Sequence, residues 1–450
     1  MTSGVAPSGV GLLLLLAACA TERVAEPAPP TQPPATELEI PLDELRVGLL
    51  LPLTGPAAAL AEDMRDAAQM ALFDVGENDL TLLPRDTAGT PGGARRAAEQ
   101  VIADGAQVIL GPLFNQAVSA VTPVAEAADV RVLAFSNVTS AAADGTFLLG
   151  FRPEEQVERV VGYALANVER RVEEPVAGAV GGAAPGPGRF DLRPPRIAGL
   201  APDDPYGATA MQALRRAVLE GGGELGETLF YPPDLADPSA VVRQIAAYDR
   251  RTAALERERA RLEAQDDDAS RRALRRLETL DTLGGPPFDA ILLADGGDRL
   301  RSVASLLTFF DVDPASVRFL GTMRWQDDPR VLQEAALQQG WFAASPPENL
   351  AAFEQRFGAV YGRPPQQPAL VALAYDATAL AVIVARDMGD RRFTAPALAN
   401  AQGFAGATGL FRLRADGLAD HGLAILEVGS GQARTIDPPP QRFTDDLALR

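Results

Sequence analysis

Apolar residues along this chain gather in short continuous runs that alternate with helical stripes. Arg46 to Leu53 (RVGLLLPL) is the first run, and its unbroken apolar character predicts a strand buried on both faces. Leu60, Met64, Ala67, Ala71 and Leu72 then recur at helical spacing. Leu80 to Leu83 reads as a strand, and Gly93 to Ala103 as a helix with Ala97, Val101 and Ile102 inward. Gln107 to Leu110 is a further strand, followed by a helix carrying Val118, Val121 and Val124, and then by Val130 to Phe135. Four strands alternating with three helices predict a doubly wound parallel sheet. In such sheets ligands meet the loops that leave the carboxyl ends of the strands.

The alternation restarts after Phe151-Arg152-Pro153, with strands expected at Arg196–Leu200, Thr228–Tyr231, Phe288–Ala294, Val317–Gly321 and Trp341–Ala344. The fold class is therefore α/β, with two doubly wound α/β lobes in series. Two segments interrupt the pattern. Residues 172–195 are rich in Gly, Pro and Ala and read as a flexible loop. Residues 249–280 carry ERERARLE and RRALRRLE, a charged helical insertion held by i, i+4 pairs, with a partner-docking arm as the alternative.

Ahead of the lobes, Leu12 to Leu16 followed by Ala17-Ala18-Cys19 is an apolar run too short to span a bilayer, so it reads as a secretory signal. Residues 20–41 are rich in Pro, Ala, Thr and Glu and form an extended tether.

Composition removes several chemistries. The net charge is −19, which leaves no dense basic groove for nucleic acid. All 41 basic residues are arginine, so Schiff bases, a P-loop lysine and lysine general bases are excluded. With one histidine (His421) and one cysteine (Cys19), neither an internal disulfide nor a His/Cys zinc site can form. His421 sits in Ala-Asp-His-Gly-Leu and reads as a solvated residue of a polar hairpin. No cofactor or metal is expected and no catalytic residue is assigned. A carboxylate-pair hydrolase remains chemically open, but no motif supports it.

Several segments resemble a known family. Arg46 to Gly55, Val108 to Leu113, Tyr206-Gly207 after an acidic turn, and Tyr375-Asp376-Ala377 resemble the leucine/isoleucine/valine-binding protein family. The ending, Phe404 to Leu410 with Ala415-Asp416-Gly417, resembles its closing hairpin. The resemblance spans residues 45–428 and implies a type I periplasmic binding protein: two lobes joined by three crossings, opening and closing on a ligand. The crossings are expected near Arg152-Pro153, Ser345-Pro346 and Thr408-Gly409. That puts 42–152 with 346–408 in the first lobe, 153–345 with 409–430 in the second, and a tail at 431–450.

The same resemblance marks Asn115, Asn137, Thr139, Ser140 and Tyr206 as ligand contacts, and Met323 at the position where an acidic residue holds an amino acid's ammonium. Asp295, Asp298 and Asp327 are possible substitutes. Leu16-Ala17-Ala18-Cys19 resembles the bacterial lipobox, which implies lipidation of Cys19, and Ala20 implies sorting to the outer membrane. The chain most resembles the penicillin-binding protein activator lipoproteins, whose partner is a peptidoglycan synthase. The alternative is a solute receptor for an ABC permease, taking an amino acid or a related small polar ligand. On either reading it is a periplasmic binder rather than an enzyme, meeting the membrane through its lipid alone.

Replacing Cys19 by Ser is expected to shift the protein from the membrane to the soluble periplasmic fraction. Cell fractionation with intact-mass measurement checks this; unchanged partitioning and mass would show that Cys19 carries no lipid.

Overall fold

The computed structural model describes residues 45–75, 80–168, 193–234, 237–265, 267–326, 328–388 and 393–443. Cys19, the 20–41 tether, most of the 172–195 loop and Asp327 lie outside the described residues.

The first lobe is built on β1 (Leu45–Leu51), β2 (Leu80–Asp86), β3 (Val108–Leu110), β4 (Arg131–Ala134) and β5 (Thr146–Leu148). These form one parallel sheet in the order β2-β1-β3-β4-β5. Helices α1 (Ala58–Val75), α2 (Pro91–Ala103) and α3 (Asn115–Ala127) connect the strands. Thr90 caps α2 by accepting from the Gly93 N–H at 3.1 Å, and Pro91 opens its first turn.

The chain then crosses into the second lobe through α4 (Pro153–Asn167). It continues as β6 (Arg196–Pro202), α5 (Pro205–Glu220), β7 (Glu224–Tyr231), α6 (Ser239–Ile245), α7 (Tyr248–Gln265) and α8 (Asp268–Leu277). After these come β8 (Ala290–Leu293), α9 (Gly297–Phe309), β9 (Arg318–Gly321), α10 (Pro329–Gln333) and β10 (Trp341–Ala344). The charged segment is thus a helical hairpin, α7 with α8, around a small core of Leu255, Leu262 and Leu277. Its root is Arg251, 5 % exposed, whose guanidinium donates to the carbonyls of Gly284, Phe310 and Asp311 and to the Asp311 carboxylate.

A second crossing leads back to the first lobe in α11 (Pro347–Tyr361), α12 (Pro368–Met388) and α13 (Ala395–Leu398). Pro368–Arg386 is long and apolar enough to cross a bilayer, yet α12 packs along α1 and is mostly buried, which makes it a core helix. The chain finishes in β11 (Phe404–Gly406), β12 (Gly409–Leu413), β13 (Ala419–His421), β14 (Ala424–Gly429) and β15 (Gln432–Asp437).

Three expectations are corrected here. The third crossing does not fall at Thr408-Gly409, because β12 and β13 form a small antiparallel sheet with β11. Leu418 also bridges to Leu148 of β5, so the chain enters the larger sheet only at Ala424, where β14 pairs with β10. The tail expected from 431 begins as β15, which completes the seven-stranded sheet β15-β14-β10-β9-β8-β6-β7. His421 is not solvated. Its ring lies 4.4 Å from that of Phe151, and its Nδ1 is 3.0 Å from Glu155 Oε1. Polarity of the neighbouring sequence misled, because Asp420 points its charge at Arg152 and Arg412 while the imidazole turns inward.

The β11–β12 turn is organised by Asp376 of α12. Its buried carboxylate accepts from the backbone N–H groups of Ala407 (2.6 Å) and Thr408 (2.9 Å) and from the Thr408 hydroxyl (2.6 Å). Gly406 is needed beside it, since a Cβ there would lie 2.5 Å from the carboxylate. Burial pushes the Asp376 carboxyl up to about 6, against the opposing pull of the Thr408 and Ala407 hydrogen bonds. Because the folded value lies above the unfolded one, Asp376's own contribution is largest below about pH 4 and falls as pH rises through about 6.

Asp376→Ala leaves two backbone donors without an acceptor and is expected to cost about 1–3 kcal/mol. Urea unfolding at a series of pH values checks this: the gap between wild type and variant should shrink from pH 4 to pH 7, and a gap that widens would contradict the assignment.

Candidate functional site

The loops at the carboxyl ends of the strands in both lobes converge on one cavity of about 400 Å³. From the first lobe, Leu113 and Phe114 follow β3, Phe135, Ser136 and Asn137 follow β4, and Gln367, Ala369 and Leu370 lie at the start of α12. Gly150 and Phe151 come from the first crossing. From the second lobe, Gln156 projects from α4, Tyr206 from the first turn of α5, and Met323 and Arg324 from the loop after β9. Local sequence explains these positions. Asp204 caps α5 by accepting from the Gly207 N–H at 2.8 Å, which sets Tyr206 in the exposed first turn. Gly111, at φ +88°, lies so close to β1 that a Cβ would meet the Leu50 carbonyl at 2.3 Å.

The polar groups form a connected set. Tyr206 donates its hydroxyl to Thr322 Oγ1 at 2.8 Å. Gln156, buried, accepts from the Met323 N–H at 3.0 Å and donates to the carbonyls of Phe151 and Arg152. Asn137 donates to the Phe151 carbonyl at 3.3 Å. The Arg324 guanidinium stacks over the Tyr206 ring, 3.5 Å from its centre.

Of the residues marked from sequence, Asn137, Tyr206 and Met323 line this cavity, while Asn115, Thr139 and Ser140 do not. Asn115 opens α3 as an exposed residue, its carboxamide oxygen accepting from the Gln116 N–H, so the loop presents Phe114 instead. Thr139 and Ser140 wind into a single 3₁₀ turn beyond the rim. Neither described substitute acid reaches the cavity. Asp295 is buried against Arg299 (2.7 and 2.8 Å), the Tyr231 hydroxyl (2.7 Å) and the Gly296 N–H. Burial, reinforced by the Asp295 charge, raises the Tyr231 phenol. Asp298 pairs on the surface with Arg301 and Arg330.

Residues that sequence reasoning passed over are Phe114, Phe135, Phe151, Gln156 and Arg324. Phe114 and Arg324 adjoin marked positions, and one-residue shifts in loops leave no periodic signal. A larger cavity of about 470 Å³ lies inside the first lobe between α1, α11, α12 and β11. Its polar groups are committed elsewhere: Asp376 to Thr408, Arg356 to Asp74 and Asn349 to the Gly406 carbonyl.

With this geometry established, comparisons with known proteins identify the family. The periplasmic binding protein model matches residues 44–433. The chain belongs to that family. Its parallel-sheet lobes have the type I periplasmic binding protein fold, and the family works in the periplasm. A Leu/Ile/Val-binding protein, BraC3, of Rhizobium johnstonii is 28 % identical over 142 residues, covering 28 % of this chain and 36 % of that protein. An uncharacterised protein of Rickettsia prowazekii is 23 % identical over 203 residues, covering 45 % of this chain and 47 % of its own length. The chain thus spans less than half of each of these curated relatives.

Among solved structures, a putative branched-chain amino acid ABC transporter protein from Rhodospirillum rubrum superposes with TM-score 0.65 at 17 % identity, covering 87 % of this chain and all of that one. A solute-binding protein from R. palustris, solved with benzoate, superposes with TM-score 0.56 at 14 % identity, covering 90 % and 98 %. At these identities the superpositions speak for the fold.

Proposed function

We propose that this protein is a solute receptor that closes its two lobes over a small molecule and presents it to an ABC permease. The carrying observation is the cavity of about 400 Å³ walled by strand-end loops of both lobes, a volume within the range of small-molecule sites. Receptors with this architecture bind rather than transform their ligands, and the described lining residues pair no nucleophile with a general base. Named relatives with Leu/Ile/Val-binding and ABC-transporter descriptions support the same reading. It reverses the order expected from sequence, in which a peptidoglycan-synthase activator stood first. The feature on the activator's side is the α7–α8 hairpin, an arm suited to docking a partner. A lipid on Cys19 would hold the receptor at the membrane, with the 20–41 segment as its tether and Ala20 favouring the outer membrane.

The receptor reading predicts that at least one small solute stabilises the native state, by RT ln(1 + [L]/Kd). Thermal melts against a panel of amino acids, organic acids and sugars check this. Flat melts across the panel, together with capture of a peptidoglycan synthase through the α7–α8 hairpin, would contradict it.

A further inference from the structure

Resting on the receptor reading, we infer that the solute is a small monocarboxylate with an apolar body and no ammonium group, and that Arg324 holds its carboxylate. The cavity's charge has one sign. Among the described residues Arg324 is its single ionic side chain, with no Asp or Glu in the lining. The guanidinium's ion pair among the described residues is a loose one. Its nearest carboxylate, Asp295, is 3.7 Å away and already engaged by Arg299, Tyr231 and Gly296. Contact with the Tyr206 ring holds the guanidinium beside the cavity, and its planar fork is suited to a carboxylate.

Among the described lining residues an ammonium finds no carboxylate, only neutral groups such as Ser136, Asn137 and Gln367. The Gln156 carboxamide oxygen is used by the Met323 N–H, and its amide nitrogen already serves the Phe151 and Arg152 carbonyls. An α-amino acid would therefore shed the hydration of its ammonium beside a like-charged guanidinium. Leu113, Phe114, Phe135, Phe151 and Met323 give the wall a large apolar and aromatic side, beside the neutral polar Ser136, Asn137 and Gln367. Such a surface rewards a hydrocarbon or aromatic body, at about 25 cal/mol per Å² of apolar area buried.

Matched pairs differing only in the ammonium test this directly. Calorimetric titration of the purified wild-type protein compares 3-phenylpropanoate with phenylalanine, and 4-methylpentanoate with leucine. The acid lacking the ammonium is expected to bind at least about ten-fold more tightly in at least one pair, a difference of about 1.4 kcal/mol. In Arg324→Gln, affinity for that acid should drop about ten-fold or more, while its uncharged amide should bind wild type and variant alike. An amino acid that binds as tightly as its partner acid overturns the inference and leaves the receptor reading standing. So does silence from both pairs while another solute class shifts the melt. Silence from every solute overturns both.

Discussion

Both large sheets are parallel through their central strands, so each is covered by helices on two faces. In the first lobe part of that cover, α12 against α1, is chain that returns after the second lobe's parallel strands are built, and each lobe is thus left and re-entered through three crossings. The first and third are locked by charge. Arg152 donates to the Ala419 carbonyl at 3.1 Å and to Asp420 at 3.2 Å, while Glu155 accepts from the Arg152 and His421 N–H groups. The Arg159 guanidinium extends the clamp to the Leu423 carbonyl at 3.0 Å. These contacts are short and buried or half-buried, so removing one partner would strand another charge. The cleft lies between lobes joined at these crossings, with strand-end loops of both lobes facing it.

The chemistry of the cleft follows from what those loops carry. Gln156 begins one turn after the first crossing and reaches the Met323 N–H, so the clamp and the loop holding Arg324 are one connected structure. Arg324 is only loosely paired with Asp295, at 3.7 Å, because Arg299, Tyr231 and Gly296 engage that carboxylate more closely. A cation kept short of partners beside aromatic walls is an incomplete ion pair, and a ligand carboxylate completes it. The chain's net charge of −19 does not enter this argument, because the local lining differs in sign from the whole.

Much of the architecture was legible in the sequence, because fully buried parallel strands read as unbroken apolar runs. All seven residues of Leu45–Leu51 are described as strand, and Trp341–Ala344 and Arg318–Gly321 fall within the expected runs. The closing region was less legible. Phe404 to Asp437 forms short antiparallel strands whose partners lie far away in sequence, so neither their register nor the third crossing has a local signature. The same limit applies to His421, whose polar neighbours face arginines while its ring packs on Phe151 and Phe411. In the cleft, Asn137, Tyr206 and Met323 were found, but not Gln156, Arg324 and the phenylalanines that line it with them. Phe114 rather than Asn115 faces the cavity because α3 starts at Asn115.

The central claim is that the lobes turn about the clamped crossings to enclose a solute. Small-angle X-ray scattering of the purified protein, with and without a saturating ligand, tests it most directly. A radius of gyration that falls on saturation is the predicted result. Calorimetrically verified binding with an unchanged scattering profile would contradict hinge closure.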